Sequence, residues 1–317
     1  MIGSAKAGRV KFIGGDWGTS RLRLFLCDET GEVLDSRTGP GAADAADRFA
    51  EIFECLTAPW VKLNGALPAI LSGMVGSSIG WTQAPYVPCP AKPDEITDAC
   101  VGLSGDSVHI VPGLSCGNRF HAPDFLRGEE TQILGALQLV QALRSGLWLL
   151  CLPGTHTKWA VLEDGVVREF LTAPTGELFA VLRDHTVLVS KHGREAGFDS
   201  EAFVQGMTQF NAFPKAQLLH RIFECRSRQL RGDFAAAAGA GYLSGLLVAS
   251  DVHGALRVLS NVFEPLSVVL IGSTDLTQLY ATALACHGYN ATRVEGGAAS
   301  RAGLARVYRR LARGIES

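Results

Sequence analysis

One strand–turn–strand pattern occurs twice in this chain, and the repeat constrains the fold more than any other feature. Each copy consists of an apolar run, a glycine–threonine turn, a basic residue, a second apolar run and an acidic–glycine turn. Gly18 and Thr19 form the tip of the first copy, and Gly154 and Thr155 form the tip of the second, 136 residues later. Glycine lets a backbone approach a ligand closely, and successive backbone N–H groups can bind an anion. The repeat therefore predicts two lobes that each present a turn to a polyphosphate.

The length of the chain and its alternating patterns predict an α/β protein. A chain of 317 residues is long for one hydrophobic core and fits two lobes. Strand patterns at Val10–Gly14 and Leu266–Gly272 alternate with helical patterns at Asp44–Leu56 and Glu129–Leu143. We predict a first lobe at residues 1–128, a connecting helix at 129–146, a second lobe at 147–298 and a C-terminal helix at 299–317 that returns toward the first lobe.

Charge and cysteine content narrow the class of protein. The net charge is −2, so no basic excess favours binding to nucleic acid or to a membrane surface. The eight cysteines form no Cys-x-x-Cys pair, no run of apolar residues reaches 18, and no signal-peptide pattern is present at the N-terminus. We therefore expect a reduced, cytoplasmic protein whose partners are small molecules, and the pattern leaves a homodimer open.

Asp16, at the end of the first strand, is the strongest single candidate for catalysis. A carboxylate at this point can hold Mg²⁺ through water while the following turn contacts phosphate. The alternative is an ordinary hairpin turn, but the second copy of the pattern favours the functional interpretation. The residues assigned to phosphate binding are Gly18, Thr19, Ser20, Gly154, Thr155 and Thr157, with Lys158 or Arg23 offsetting charge.

Two helix starts offer further polar groups. Gly272-Ser273-Thr274 follows a buried strand and opens a helix, where backbone N–H groups can bind an anion; the alternative is a simple N-cap. Glu129 and Glu130 also begin a helix, where either could act as a general base for a substrate hydroxyl. The alternative for both glutamates is favourable pairing with the helix dipole.

Two loops have both a functional and a purely structural interpretation. The loop Gly73–Trp81 is rich in glycine and serine, which suits a hydroxyl-rich and carboxylate-bearing ligand, although it could also be a mobile connection. Gly113–Gly117 matches the Gly-x-Ser-x-Gly pattern of hydrolases. That pattern requires a helix directly after it, and the following residues do not favour a helix.

The motifs together resemble the 2-dehydro-3-deoxygalactonokinase family, within the actin/hexokinase-like ATPase superfamily. The resemblance runs along nearly the whole chain. Its motifs are DWGTS at Asp16–Ser20, SGMVGSSIGW at Ser72–Trp81, APY at Ala84–Tyr86, PGL at Pro112–Leu114, RGEETQ at Arg127–Gln132, PGTHTKW at Pro153–Trp159, TGEL at Thr175–Leu178 and GST at Gly272–Thr274.

The resemblance implies a fold and an activity. The fold is two ribonuclease-H-like lobes, each a mixed sheet flanked by helices, with ATP in the cleft between them. The activity is Mg²⁺- and ATP-dependent phosphorylation of the 6-hydroxyl of 2-dehydro-3-deoxy-D-galactonate, a step of galactonate catabolism. Gly272, Ser273 and Thr274 would lie near adenosine, and Glu129 or Glu130 would be the base. The candidates for sugar-acid recognition are Met74, Val75, Gly76, Ser77, Ser78, Trp81 and Tyr86.

Three alternatives stay open at this point. The first is a kinase of the same fold that acts on another deoxy keto-sugar acid or sugar. The second is a non-catalytic sugar or nucleotide sensor, which the intact acidic residues at positions 16, 129 and 130 disfavour. The third is a hydrolase that uses Ser115.

Overall fold

The structure is a computed structural model that describes residues 10–103, 107–213, 215, 217–259 and 267–315. The chain forms two compact units. The first unit contains residues 1–148, 160–170 and 294–317, and the second contains residues 149–159 and 171–293. The lobe boundaries given above stay a prediction. Within the described residues, no helix is both long and apolar enough to span a bilayer.

Strands and helices alternate along the chain. The strands are β1 Phe12–Trp17, β2 Arg21–Cys27, β3 Val33–Pro40, β4 Ala69–Gly73, β5 Tyr86–Pro88, β6 Val101–Leu103, β7 Val108–Ile110, β8 Gly113–Gly117, β9 Pro123–Leu126, β10 Leu147–Leu152, β11 Thr157–Glu163, β12 Val166–Ala173, β13 Ser267–Gly272 and β14 Ala291–Glu295. The α-helices are α1 Ala42–Ala45, α2 Phe49–Asn64, α3 Pro93–Asp98, α4 Glu129–Leu139, α5 Thr175–His185, α6 Lys191–Glu195, α7 Ser200–Ala212, α8 Leu218–Arg221, α9 Glu224–Arg231, α10 Gly239–Leu259, α11 Thr274–Ala285 and α12 Gly296–Ile315.

Five strands of each large sheet follow the same order, which extends the sequence repeat from the hairpins to most of the two sheets. The six-stranded sheet runs β3-β2-β1-β4-β7-β6, and the five-stranded sheet runs β12-β11-β10-β13-β14. In the first sheet β2 is antiparallel to β1 and β3, whereas β4 is parallel to β1 and β7. The second turn of each repeat contains a glycine with positive φ, 89° at Gly31 and 77° at Gly165. The predicted α/β class with mixed sheets is confirmed.

The alternation of buried and exposed side chains along β2 explains how the first hairpin packs onto the core of its unit. Leu22, Leu24 and Leu26 have no exposed surface, whereas Arg21 and Arg23 face solvent. A strand with this period of two buries one face and hydrates the other. The buried face joins a core that also contains Trp17 and Phe49. This packing holds the first glycine–threonine turn on a rigid sheet.

Several predicted elements have different bounds in the structure. The strand expected at Val10–Gly14 is Phe12–Trp17, and the C-terminal helix expected at 299–317 is described as Gly296–Ile315. The helix expected at Asp44–Leu56 is split, because Ala46 and Asp47 adopt left-handed φ values of 47° and 64°. The helix expected at Glu129–Leu143 ends at Leu139 and continues as a 3₁₀ turn. The strand expected from position 266 is described from Ser267, since residue 266 lies outside the described residues.

In the first unit, helices α4 and α12 approach each other through two glycines. A Cβ on Gly135 would lie 1.7 Å from the Ala299 carbonyl oxygen, and a Cβ on Gly303 would lie 1.9 Å from the Thr131 carbonyl oxygen. Both distances are far below van der Waals contact, so only glycine permits this packing. The contact fixes α4, which begins with the two candidate glutamates.

We expect Gly303→Ala to destabilise the protein by about 1–3 kcal/mol or more, because the added methyl group must push α12 away from α4. Urea unfolding would measure the change. Gly254→Ala is the matched control, because Gly254 lies inside α10 with nothing within 4 Å of a built Cβ. The control should stabilise by roughly 0.5–1 kcal/mol, as expected for Gly→Ala in a helix. Equal stability of the Gly303 variant and the wild type would contradict the close packing.

Candidate active site

The first glycine–threonine turn joins β1 to β2 and is open to solvent. The Gly18 N–H donates to the Arg21 carbonyl at 2.9 Å and closes the turn, and the Thr19 and Ser20 side chains are exposed. Asp16 stands opposite Arg23 in the β1–β2 register, and the two side chains form an ion pair. The turn therefore presents backbone and hydroxyl donors beside a partly exposed carboxylate.

Asp16 and the residue before α4, Gly128, both lie close to Gly73, at the end of β4. A Cβ on Gly73 would lie 2.8 Å from the Trp17 carbonyl oxygen and 3.6 Å from an Asp16 carboxylate oxygen. On the other side, a Cβ on Gly128 would lie 3.5 Å from the Gly73 Cα. Gly73 and Gly128 have φ values of 93° and 104°, which favour glycine. These two glycines allow the backbone beside Asp16 and the backbone before Glu129 to approach each other closely within one unit.

Glu129 and Glu130 occupy different environments. Glu129 is half-buried, and its carboxylate accepts the Arg127 N–H at 3.0 Å. Glu130 has no exposed surface; its carboxyl accepts the Gly128 N–H at 2.6 Å and the Thr131 hydroxyl at 3.0 Å. Burial, followed by the repulsion of Glu129, raises the pKa of Glu130 from 4.5 to about 8. Of these two glutamates, Glu129 is therefore the one with exposed surface that a substrate can contact.

The raised pKa of Glu130 predicts a pH dependence of stability. Between about pH 4.5 and pH 8 the folded protein keeps a proton on Glu130 that the unfolded chain has lost. The free energy of unfolding should therefore fall as pH rises through this window, by at most about 1.4 kcal/mol per pH unit. Glu130→Gln removes the ionisation, so we expect its stability relative to the wild type to improve from pH 5 to pH 8. Urea unfolding across this range measures both proteins, and parallel pH curves would contradict the buried neutral acid.

The loop predicted to bind the sugar acid is partly turned inward. Val75 has no exposed surface and belongs to the core, and the Ser77 hydroxyl donates to the Met74 carbonyl at 2.7 Å. Packing occupies the Val75 side chain and a local hydrogen bond occupies the Ser77 hydroxyl, so their backbone groups are the parts of these two residues that suit ligand binding. Their role in sugar-acid recognition stays a prediction. Met74, Ser78 and Trp81 keep some exposed surface.

Arg127 joins the sugar-acid loop to the glutamate turn, and it was not among the predicted site residues. Its guanidinium lies 4.2 Å from the centre of the Tyr86 ring and donates to the Ala84 carbonyl at 2.8 Å. A Cβ on Gly76 would lie 2.7 Å from Arg127 Nη1, so Gly76 makes room for the guanidinium. The arginine immediately before Gly128 in the RGEETQ motif was the signal that could have identified it.

The second glycine–threonine turn lies in the second unit and rests on the start of α5. The Glu177 N–H donates to the Thr155 carbonyl at 2.9 Å, and the Glu177 carboxylate contacts His156 at 2.8 Å. A Cβ on Gly176 would lie 2.4 Å from the Gly154 carbonyl oxygen. The TGEL motif therefore functions as a platform for this turn, and Gly176 is the residue that lets the turn approach.

Two predicted phosphate-binding side chains on β11 are buried in the second unit. Thr157 has no exposed surface, and its hydroxyl bonds the Tyr280 hydroxyl at 2.8 Å. Lys158 is 6% exposed, and its ammonium group donates to the Thr172 hydroxyl at 2.8 Å. Each side chain thus bonds to a neighbouring element of the second unit, and the expectation that Thr157 binds phosphate and that Lys158 offsets its charge stays a prediction. Gly154 and Thr155 remain at the turn itself.

The Gly272-Ser273-Thr274 motif, expected to lie near adenosine, is next to this turn. Gly272 ends β13, and a Cβ on it would lie 3.6 Å from the Pro153 carbonyl oxygen. Ser273 is the N-cap of α11 and accepts the Leu276 N–H at 3.4 Å, and Thr274 is exposed in the first turn. The structure thus brings the second turn and an uncovered helix start together within one unit.

A cavity of about 640 Å³ adjoins both of these features. Gly154, Thr175 and Gly176 line one part of it, and Asp275 from α11 lines another. The remaining walls are largely apolar and include Phe179, Phe198, Leu247, Val248, Leu276 and Leu279. A concave apolar site with a few polar groups is typical of a small-molecule site.

The Gly-x-Ser-x-Gly segment does not form a nucleophile elbow. Ser115 lies in the middle of β8, paired with Phe125 of β9 and Pro88 of β5. An elbow requires a sharp turn from a strand into a helix at the serine. This geometry removes the hydrolase alternative.

Comparisons with known proteins agree with the motifs. The family model for 2-keto-3-deoxy-galactonokinase matches residues 16–307. The chain belongs to this family. A Rhizobium meliloti (strain 1021) protein named probable 2-dehydro-3-deoxygalactonokinase DgoK1 is 37% identical over 93% of this chain and 96% of its own length. The 2-dehydro-3-deoxygalactonokinase of Escherichia coli (strain K12) is 30% identical over 95% of this chain and 99% of its own length.

Solved structures support the same assignment. A crystal structure from Sinorhizobium meliloti, of a candidate 2-dehydro-3-deoxygalactonokinase, has a TM-score of 0.85 and 36% identity and covers 95% of this chain and 99% of its own. The activator of 2-hydroxyisocaproyl-CoA dehydratase from Clostridium difficile, with bound ADPNP, has a TM-score of 0.54 at 10% identity and covers 96% of this chain and 97% of its own. The second likeness shows the fold alone. The resemblance inferred from the motifs, to a family of sugar-acid kinases, is confirmed.

Proposed function

We propose that this 2-keto-3-deoxy-galactonokinase family member transfers the γ-phosphoryl group of ATP to the 6-hydroxyl of 2-dehydro-3-deoxy-D-galactonate, in galactonate catabolism. The observation that carries this proposal is that Asp16 and Gly128, the residue before Glu129, both lie close to Gly73 in a chain of this family. Phosphoryl transfer depends on positioning and on electrostatic stabilisation. A carboxylate beside a phosphate-binding turn and a second carboxylate at a helix start meet those needs.

Glu129, rather than Glu130, is the base in this proposal. A general base must come within hydrogen-bond reach of the proton that it accepts. Glu130 is fully buried, and its raised pKa keeps it largely protonated near neutral pH. It therefore supports the turn at Gly128, while Glu129 accepts the proton of the attacking hydroxyl.

The sugar acid would lie against the loop that begins after Gly73. Met74, Ser78, Trp81 and Tyr86 supply the side-chain surface, and Gly76 and the other loop residues supply backbone groups. Gly73, at the start of this loop, is also beside Asp16 and Gly128. This position would place a bound hydroxyl close to Glu129.

The second unit would bind ATP. The turn at Gly154 and Thr155 and the α11 start at Ser273 and Thr274 would hold phosphate and ribose groups through N–H and hydroxyl donors. The apolar cavity beside them would take the adenine ring. In the first unit, Gly18, Thr19 and Ser20 would contact phosphate.

Asp16 suits Mg²⁺ bound through water. Within the described ranges no group of three or more His, Cys, Asp or Glu side chains could hold a metal directly. Mg²⁺ keeps several waters in nucleotide sites and needs only one or two carboxylates, so a single partly exposed Asp16 fits. When bound, Mg²⁺ would neutralise charge on the phosphate oxygens.

A kinase assay over a panel of acceptors tests the proposal. ADP release would be measured with 2-dehydro-3-deoxy-D-galactonate, its C4 epimer, C6 aldonates and neutral hexoses. We expect 2-dehydro-3-deoxy-D-galactonate to give the highest kcat/KM. ³¹P NMR of the product should show the phosphate on the 6-hydroxyl. A higher kcat/KM for another acceptor would favour a kinase for a different deoxy keto-sugar acid, and ATP binding without turnover of any acceptor would favour a sensor.

A further inference from the structure

Asp251 gathers hydrogen bonds from three elements of the second unit that surround the proposed nucleotide site. One carboxylate oxygen accepts the Trp159 indole N–H at 2.8 Å. The other accepts the Thr175 hydroxyl at 2.6 Å and the Tyr280 hydroxyl at 2.6 Å. Asp251 is the only acidic residue of the helix Gly239–Leu259, and an acidic residue in this largely apolar segment was the signal in the sequence.

The donors connect Asp251 to the second phosphate turn along two routes. Thr175 is the first residue of α5. The next two residues, Gly176 and Glu177, contact the turn. Tyr280 also bonds the hydroxyl of Thr157, the first residue after the turn. Thr175 and Tyr280 line the cavity themselves. Asp251 therefore contacts the supports of the turn without being a wall of the cavity.

We propose that Asp251 is a positioning residue that holds the turn at Gly154 and Thr155 in its ATP-binding geometry, acting through Thr175, Tyr280 and Thr157. The inference rests on the proposed function, because it assumes that this turn binds ATP. A turn that binds phosphate through backbone N–H groups must be held in place before the ligand arrives, since ordering it on binding would weaken affinity. Oriented donors from three elements on one carboxylate supply that constraint.

The environment of the carboxyl group agrees with this role. Burial raises the pKa of Asp251, whereas the hydrogen bonds from Thr175, Tyr280, Trp159 and Thr157 lower it. Removing this acceptor would leave the buried Trp159, Tyr280 and Thr175 donors unsatisfied, which is costly in a low-dielectric interior. The donors would then seek new partners, and the two supports of the turn would move with them.

Steady-state kinetics of Asp251→Ala and Asp251→Asn test the proposal. For Asp251→Ala we expect the KM for ATP to rise at least about tenfold, with the KM for the sugar acid within about twofold of wild type. Asparagine keeps one acceptor oxygen and the side-chain shape, so Asp251→Asn should recover most of the affinity for ATP. Titration calorimetry with a non-hydrolysable ATP analogue should show the same ratio of dissociation constants.

Glu224→Ala provides a matched control in the same unit. Glu224 also joins helices, through Arg221 and the Tyr242 hydroxyl, but it touches neither the turn nor the cavity lining. Its loss should lower the melting temperature and leave the KM for ATP unchanged. A folded Asp251→Ala protein with a wild-type KM for ATP, or with equal increases in both KM values, would overturn the proposal.

Tyr280→Phe keeps the proposal testable if Asp251→Ala does not fold. It removes one hydroxyl that joins Asp251 to Thr157 and opens no large cavity. An increase of about threefold or more in the KM for ATP alone would support the role of Asp251, and an unchanged value would contradict it. If the wild-type protein binds no ATP analogue, the proposed function fails and this inference fails with it; normal wild-type binding with unaffected variants rejects the inference alone.

Discussion

Asp16→Asn is expected to lower kcat for phosphoryl transfer at least about a hundredfold, with the fold retained. The substitution keeps the side-chain shape but removes the negative charge beside the first phosphate turn, where charge stabilisation supplies much of the catalysis. Stability should change little, because the partner of Asp16 is the half-exposed Arg23, and surface ion pairs contribute about 0–1 kcal/mol. Coupled ADP release measures kcat, and thermal unfolding monitors the fold.

Two controls separate the role of the Asp16 charge from its ion pair. Arg23→Gln breaks the same pair and leaves the carboxylate, so its kcat should fall much less than that of Asp16→Asn. Asp94→Asn removes a carboxylate of the first unit whose partner is Arg306, away from the turn, and kcat should be unchanged. Near-normal turnover by a folded Asp16→Asn protein would rule out its role with Mg²⁺.

Glu129→Gln is expected to reduce kcat by about a hundredfold to ten-thousandfold, the range typical for loss of a general base. The amide keeps the hydrogen bond from the Arg127 N–H but cannot accept the hydroxyl proton. Because a base acts in the chemical step, sugar-acid affinity should change little. Rapid-quench measurement of a single turnover would separate this step from product release, and calorimetry would measure sugar-acid binding.

Glu130→Gln is the neighbouring control for this prediction. Glutamine resembles the protonated carboxyl that the raised pKa of Glu130 indicates, so kcat should stay within about tenfold of wild type. The opposite pattern, with Glu129→Gln active and Glu130→Gln inactive, would reverse the assignment. If both variants keep full activity, the base lies elsewhere in the protein.

Much of the fold could be predicted because its signals are local. The alternation Leu22, Leu24, Leu26 marks one strand, and glycine turns at Gly18 and Gly154 mark the hairpins that the structure contains. The split between α1 and α2 was missed, because the left-handed φ at Ala46 and Asp47 occurs without a glycine to signal it. Hydrophobic period and turn residues are local properties. They therefore reveal that a helix or strand exists better than they reveal a break within it.

The candidate site was predicted as a set of residues, but the direction of each side chain was not. Motifs identified Asp16, Glu129 and Glu130 as acidic groups near turns and helix starts. They could not show that Val75 packs in the core or that Thr157 bonds Tyr280, 123 residues away. Burial of a side chain depends on which distant segments cover it, and a single sequence does not list those contacts.

The sequence by itself determined the duplicated hairpin, the α/β class and the family, because each depends on short motifs and on hydrophobic period. Only the tertiary structure decided which glutamate is accessible, how Gly73 brings Asp16 to the start of α4, and how Asp251 supports the second turn. These features arise where backbones approach within van der Waals contact and where buried donors meet one acceptor. Both conditions are set by packing between segments that are distant in the chain. The sequence positions of these residues alone do not show that they meet.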